Sequence, residues 1–263
     1  MIVHYFGFPQ SLKELVDICR KKGIYLIEDC AHTFCQRNGK SVATSGDLAV
    51  FSLQKIFPIP DGGALVVNNP DLDSKAKPRK KRSRLRISIS LANLLLSRVE
   101  LQAGLSLDIF RKSWEMGKRL IPPSPIQYDP PGSFPEMTIS DSSKRILKNI
   151  DYSQVTFRRR KNFEFLLKKL SSTHEELLVF KYLPEEVCPL AFPVLLKERE
   201  QIHREMLERG FGVYPWPFLP KEISRQDFPD TFYLADHLLL LPIHQDVEEN
   251  HLEKMCDCLF RLL

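Results

Sequence analysis

Ile2-Val3-His4-Tyr5-Phe6 is an apolar run of strand character that turns at Gly7 and Pro9. From Leu12 to Lys22 the pattern changes period, with Leu12, Leu15, Val16, Ile18 and Cys19 recurring at helical spacing. Ser11 is placed to cap that helix, and Gly23 stands where a left-handed closing residue is favoured. Ile24-Tyr25-Leu26-Ile27 then reads as a buried strand, and strand, helix, strand in so short a stretch predicts a βαβ unit with parallel pairing. Two further strands, Leu48 to Leu53 and Ala64 to Val67, lie either side of a loop rich in proline and glycine. Residues 1–70 therefore predict a piece of an open α/β sheet, mostly parallel. So few elements leave its faces uncovered, and further N-terminal chain is expected.

Residues 71–139 change character. A basic run is followed by an apolar, serine-containing stretch from Leu85 to Leu107, and then by a loop holding Pro122, Pro123, Pro125, Pro130, Pro131 and Pro135. This segment reads as an insertion or linker. Residues 140–263 predict a C-terminal α+β domain. Ser140 or Asp141 caps a helix with Ile146, Leu147 and Ile150 on its apolar face, and a second helix runs from Arg158 to Leu170. Ala191 to Leu196 reads as a strand, Lys197 to Arg209 as a helix closed by Gly210, and Leu238 to Leu241 as another strand. Leu252, Met255, Leu259 and Leu262 mark a final helix.

With 263 residues and 43% hydrophobic content the chain can fill a real core, which excludes a wholly disordered protein. The net charge of +5 is a local property: Lys75 to Arg86 contributes eight positive and no negative charges, and without it the remainder is −3. Overall charge thus gives no support to a nucleic-acid-binding role. The basic run beside Leu91, Leu94, Leu95, Val99 and Leu101 suits contact with an anionic membrane over residues 75–107, although solvated charges and a packed helix account for the same pattern. Six scattered cysteines and no signal-peptide pattern point to a reducing, cytoplasmic setting, and no apolar run approaches the ~20 residues of a spanning helix. Cys30, His32 and Cys35 suggest a metal corner, but no second ligand pair follows at zinc-like spacing, so free thiols are the expected state and no metal is predicted.

Ligands of open parallel sheets bind outside the carboxyl ends of strands. Two strands end in chemistry here: Ile24 to Ile27 runs into Glu28-Asp29, and Leu48 to Leu53 runs into Gln54-Lys55. A lysine amine condenses with an aldehyde, and a carboxylate beside a pyridine nitrogen keeps that ring protonated as an electron sink, so the pair implies pyridoxal phosphate. The same spacing also fits an ordinary Asp29–Lys55 salt bridge.

The runs IYLIEDCAHTF, GKSVATSGDLAVFSLQK and DGGALVVN resemble the centre of the DegT/DnrJ/EryC1/StrS family, the fold-type I, pyridoxal-phosphate-dependent sugar aminotransferases. FRRRKNFEFLLKKL, AFPVLL, MLERGFGVYPWPF and LLLLPIHQDVEENHLEKM resemble that family's small domain in content and order. The resemblance implies a partial fold-type I large domain followed by the small domain. By position, Asp29 resembles the partner of the pyridine nitrogen, His32 the residue lying against the cofactor near its phenolic oxygen, Ser52 the phosphate-contacting serine and Lys55 the Schiff-base lysine. Gly62 and Gly63 supply the turn before the next strand. A lysine at position 55 further implies transamination, since the family's sugar dehydratases carry histidine there. Also implied are a nucleotide-linked keto sugar as acceptor, an amino acid such as glutamate as donor, and a homodimer. The alternative is a truncated or split paralogue that keeps the fold without catalysis. Tyr214, Trp216 and His244 are read as packing rather than site residues.

Overall fold

The computed structural model describes residues 1–34, 43–72, 80–81, 84–103 and 137–263. They form two compact units, one holding Met1–Tyr5 and the described residues of Pro9–Glu100 and Leu107–Asp151, the other Phe6–Phe8, the described residues of Leu101–Ser106, and Tyr152–Leu263. Among the described residues no helix is long and apolar enough to cross a membrane. Cys35 and the proline-rich loop lie outside the described residues.

The first unit is built on a four-stranded sheet, β1 (Ile2–Val3), β2 (Ile27–Asp29), β3 (Leu48–Ser52) and β4 (Gly63–Val67), in that spatial order. The first three strands are parallel and β4 returns antiparallel to β3, which makes the sheet mostly parallel as expected. Helix α1 (Lys13–Lys22) makes the crossover that a parallel β1–β2 pair requires. Gly23 closes it in the left-handed conformation (φ 63°), and the amides of Gly23 and Ile24 bond to the carbonyls of Arg20 and Cys19.

Four local expectations shift. The first strand stops at Val3, because Tyr5–Gly7 is a 3-10 turn in which Phe6 and Gly7 take positive φ. Leu12, without a side-chain hydrogen bond, occupies the cap position of α1, so Ser11 does not cap it. The second strand begins at Ile27 instead of Ile24, with Ile24 and Tyr25 exposed and the Leu26 amide taken by the Asp47 carboxylate at 2.7 Å. Finally, the apolar stripe of α1 is not a core face: no residue of the helix is buried, and Leu15 and Ile18 are exposed.

Residues 80–81 (β5) pair in parallel with Met137–Thr138 (β6), and the apolar stretch after the basic run forms helix α2 (Arg84–Ala103). Helix α3 (Asp141–Asn149) starts at the predicted cap, where Ser140 Oγ accepts the Ser143 amide at 3.2 Å.

The second unit packs helices on a three-stranded antiparallel sheet, β7 (Ala191–Leu195), β9 (Leu238–Pro242) and β8 (Tyr214–Pro215), with β9 central. Helix α4 (Tyr152–Ser171) buries Arg159, Asn162, Phe163, Leu166 and Leu170, a three-to-four-residue spacing that gives one continuous face. Helix α5 (Arg199–Glu208) follows β7, α6 (Pro229–His237) leads into β9, and α7 (Glu249–Phe260) buries Leu252, Met255 and Leu259. Phe6 and Phe8 belong to this core, Phe8 stacking on Phe180 at 3.7 Å between ring centroids. The Arg159 guanidinium is buried and donates to Gln245 Oε1 (2.8 Å) and the Leu190 carbonyl (3.1 Å). Asn162 Nδ2 donates to the carbonyls of His244 (3.0 Å) and Val247 (3.2 Å). Buried polar groups thus fix the loops before β7 and after β9.

Candidate active site

The register of the sheet decides which side chains share a face. Asp29 pairs with Val50 across β2 and β3, and Ser52 pairs with Gly63 across β3 and β4. Since side chains alternate along a strand while paired residues point the same way, Asp29, Val50 and Ser52 lie on one face and Glu28, Ala49 and Phe51 on the other. Asp29 is the last residue of β2, Ser52 the last of β3, and Lys55 ends the 3-10 turn Leu53–Lys55 that follows directly. The carboxylate and the amine therefore reach one rim of the sheet.

Electrostatics ties three of these groups together. His32 is buried, and burial pushes its pKa down to about 4, assisted by the Lys55 ammonium and opposed by Asp29. At neutral pH its imidazole is uncharged, able to donate or accept one hydrogen bond without bringing a positive charge to the rim. The Tyr5 ring, beyond the end of β1, meets His32 edge-on at 6.1 Å. Lys55 is exposed, yet desolvation by the surrounding chain lowers its pKa from the ordinary lysine value, with Asp29 pulling the other way. Both effects suit a lysine that must shed its proton to act as a nucleophile while staying near a carboxylate. The Asp29 carboxylate accepts the Ala31 amide at 2.9 Å, which fixes the turn leading to His32.

The loop after Lys55 is anchored by packing. Ile56, Phe57 and Ile59 are buried, and Phe57 meets Phe34 edge-on at 4.4 Å. Its far end is held by Asp61, a buried carboxylate that accepts from the hydroxyls of Ser140 (2.8 Å) and Ser143. Gly62 follows at φ 132°, where a Cβ would sit 2.6 Å from Ile139 Cδ1, so the turn requires glycine for both conformation and space.

Beneath the rim, on the opposite face from Asp29, is an element that sequence reasoning missed. Glu28 is fully buried, and its two oxygens accept from four donors: His4 Nε2 at 3.0 Å and the amides of Ala43 (3.1 Å), Ser45 (3.0 Å) and Gly46. Burial alone would raise its pKa, but these bonds outweigh it and hold the carboxylate below its ordinary range. His4 Nδ1 accepts the Gln10 amide, which leaves Nε2 as the proton-bearing nitrogen facing Glu28. Cys30 lies close enough for His4, Glu28 and Cys30 to bring their ligand atoms within 4.8 Å of one another. The set does not suit a metal, because the Glu28 oxygens are already committed to N–H donors, and burial, with Glu28 and Asp29 nearby, raises the Cys30 thiol to about 12. The residues separating these partners in sequence hid the cluster; the buried His and Glu types were its only signal.

Tyr214, Trp216 and His244 all fall in the second unit. There Trp216 meets Phe6 edge-on at 6.3 Å and His244 Nδ1 lies 3.6 Å from Asp246.

The burial of neutral His32 makes a pH signature. Its folded pKa, about 4, lies below the ordinary histidine value of 6.5, so the unfolded chain binds the extra proton first and stability falls as pH drops from 6.5 towards 4. Glu28 acts in a lower window, losing its contribution only below 4.5. His203 and His251 are also pushed down by burial, so His32→Gln is expected to lessen, not remove, the dependence of the urea midpoint on pH between 6.5 and about 4, leaving the decline below it. An unchanged slope in that window would show that His32 is not the group responsible.

The comparisons with known proteins fit this geometry. The model of the DegT/DnrJ/EryC1/StrS aminotransferase family matches residues 1–87. Among curated relatives, the dTDP-4-dehydro-2,3,6-trideoxy-D-glucose 4-aminotransferase of Saccharopolyspora spinosa is 26% identical over 274 residues, covering 98% of this chain and 63% of its own length. The GDP-perosamine synthase of Vibrio cholerae is 42% identical over 74 residues, 27% of this chain and 20% of its own. The crystal structure of a DegT DnrJ EryC1 StrS aminotransferase from Brucella abortus superposes with a TM-score of 0.59 at 13% identity, covering 99% of this chain and 63% of that one. This chain thus spans less than two thirds of the first relative's length. Residues 1–87, the stretch that contains Asp29 and Lys55, are thus similar to the DegT/DnrJ/EryC1/StrS aminotransferase family, and the fold of the chain is that of solved aminotransferases of this kind.

Proposed function

We propose that the chain carries the acid-and-lysine part of a pyridoxal-phosphate-dependent aminotransferase that moves an amino group from an amino acid, glutamate in the first instance, to the keto carbon of a nucleotide-linked sugar. One observation carries the reading: Asp29 and Lys55 close neighbouring parallel strands at the same rim, with the charge of Asp29 acting on the Lys55 amine. The names of the relatives support the substrate class, since they are enzymes of dTDP- and GDP-linked sugars. A homodimer belongs to the same proposal.

The residues present fit the cofactor. Asp29 would sit against the pyridine nitrogen and hold a proton there, and Ser52, on the same face, would donate to the phosphate. Neutral His32 would hydrogen-bond near the phenolic oxygen. Lys55 would hold the cofactor's aldehyde carbon and, once released, carry the proton between the donor's α-carbon and the cofactor. When bound, pyridoxal phosphate supplies the electron sink that makes that α-proton acidic.

A second reading, in which the chain keeps the fold without catalysis, is favoured by β4, all five residues of which are exposed. The two separate on mixing the purified chain with pyridoxal phosphate. The first expects a visible absorbance band that glutamate bleaches; protein that develops no band excludes it for this chain and favours the second.

A further inference from the structure

Lys55 is exposed and ends a single 3-10 turn, with no α-helix or strand of its own to fix it. Its place is set from behind, by the loop of residues 53–62. That loop is pinched at its neck, where the Leu53 amide donates to the Gly62 carbonyl at 3.1 Å. Its first turn is closed by the amides of Ile56 (3.2 Å) and Phe57 (2.9 Å) on the Leu53 carbonyl. One residue before the neck stands Asp61, 8% exposed. Its Oδ1 accepts from the Ser140 hydroxyl (2.8 Å), the Ser140 amide (3.3 Å) and the Ser143 hydroxyl, partners 79 and 82 residues further along the chain. All three bonds fall on that one oxygen. Ser140 is also the cap of α3, so the carboxylate stands at the positive end of a nine-residue helix of the same unit.

A buried carboxylate is a costly way to fill space, since an aliphatic side chain of similar volume holds a loop by burial alone. What the carboxylate adds is direction: charge-assisted bonds converging on one oxygen fix both where the loop ends and how it is turned. We propose that Asp61, together with Ser140 and Ser143, is the positioning residue for Lys55, clamping the loop on the amino end of α3 and so setting the place of the amine relative to Asp29 and His32. The proposal rests on the aminotransferase reading for its purpose but not for its test. The groups that face the amine are the Asp29 carboxylate at the end of β2 and the His32 ring beyond it, and the lowered pKa of Lys55 comes from the chain packed round it. With the clamp released, the amine moves out into water and holds its proton more firmly. Asp61 acts through the loop, not on the reacting atoms.

The test is acetylation of the full, cofactor-free chain by trace acetic anhydride across a pH series, with Lys55 followed by mass spectrometry against the remaining lysines and amide hydrogen exchange measured alongside. Asp61→Ala is expected to slow labelling of Lys55 about threefold at pH 8, because less of the amine is unprotonated, and to move its pH midpoint towards that of the other exposed lysines. Exchange of the Ile56 and Phe57 amides is expected to speed up about tenfold more than that of the β2 and β3 amides. Asp61→Asn, which keeps an oxygen in the place of Oδ1, is expected to restore most of both values, and Ser143→Ala, which removes one donor, to reproduce part of the change. Wild-type labelling in Asp61→Ala or, should that variant not fold, in Ser143→Ala would overturn the proposal. So would a change in Asp61→Asn as large as in Asp61→Ala, which would assign the effect to charge. Faster exchange spread evenly over the loop, β2 and β3 would overturn it too, leaving Asp61 a stabiliser of the unit and nothing more. With no cofactor in the assay, each result holds whether or not a visible band develops, so this proposal and the aminotransferase reading fail separately.

Discussion

Lys55→Ala is expected to abolish the visible band that the wild-type chain develops with pyridoxal phosphate, leaving the spectrum of free cofactor. Alanine removes the amine that follows β3 at the carboxyl rim of β2 and β3, and neither described neighbour replaces it: His32 is a buried neutral ring, and Asp29 is an acid. Lys55→Arg keeps the charge and the reach, but a guanidinium does not deprotonate to attack an aldehyde, so it is expected to lose the band equally. That second variant matters because it keeps a cation beside Asp29. If Lys55 served only as the partner of a salt bridge, arginine would preserve its role, and a band surviving in either variant would refute the assignment. Asp29→Asn separates binding from chemistry: the band is expected to persist, while turnover falls by about 10²–10³, the usual cost of removing one preorganised charge from a reacting centre.

Glu28→Ala is expected to be the most damaging substitution for stability in the first unit. Four donors converge on that carboxylate from His4, Ala43, Ser45 and Gly46, and alanine leaves them without their acceptor in a buried site. Breaking a buried pair of this kind costs about 3–5 kcal/mol, and for a chain of this size that lowers the melting temperature by roughly 10 °C. Glu28→Gln keeps the volume and one acceptor oxygen, and should fall between. The measurement is thermal unfolding followed by hydrogen exchange of the β2 and β3 amides. A loss below about 1 kcal/mol for alanine would mean that water takes the place of the carboxylate and that the segment 43–46 is held by other contacts.

The order of elements was legible in the sequence because it is written in local signals. Gly23 stops α1 for a reason that concerns only its own φ, Ser140 caps α3 through an amide three residues on, and the acid and lysine announce themselves by ending apolar runs. What could not be read is non-local. His4 and Glu28 are 24 residues apart, and nothing in either neighbourhood says that they meet. Asp61 and Ser140 are 79 apart, so the anchoring of the loop after Lys55 was invisible too. Helix α6 escaped notice because none of its residues is buried and its apolar positions form no clean stripe. The register that sets Asp29 and Ser52 on one face was inaccessible for a related reason, since strand boundaries off by one or two residues leave the facing undecided.

The tripeptide Phe6–Phe8 belongs to the unit otherwise built from residues after Tyr152, while His4 and Gln10 on either side of it belong to the other. Excising residues 152–263 as an independent fragment would therefore remove two aromatic plugs from its interior, Phe6 at 5% exposure and Phe8 at 7%. Each such loss costs about 3–5 kcal/mol, comparable to the whole margin by which a small domain stays folded. Anyone dissecting this chain should carry the N-terminal octapeptide along, fused or added back in trans, because the conventional cut between α3 and α4 severs a core instead of a linker.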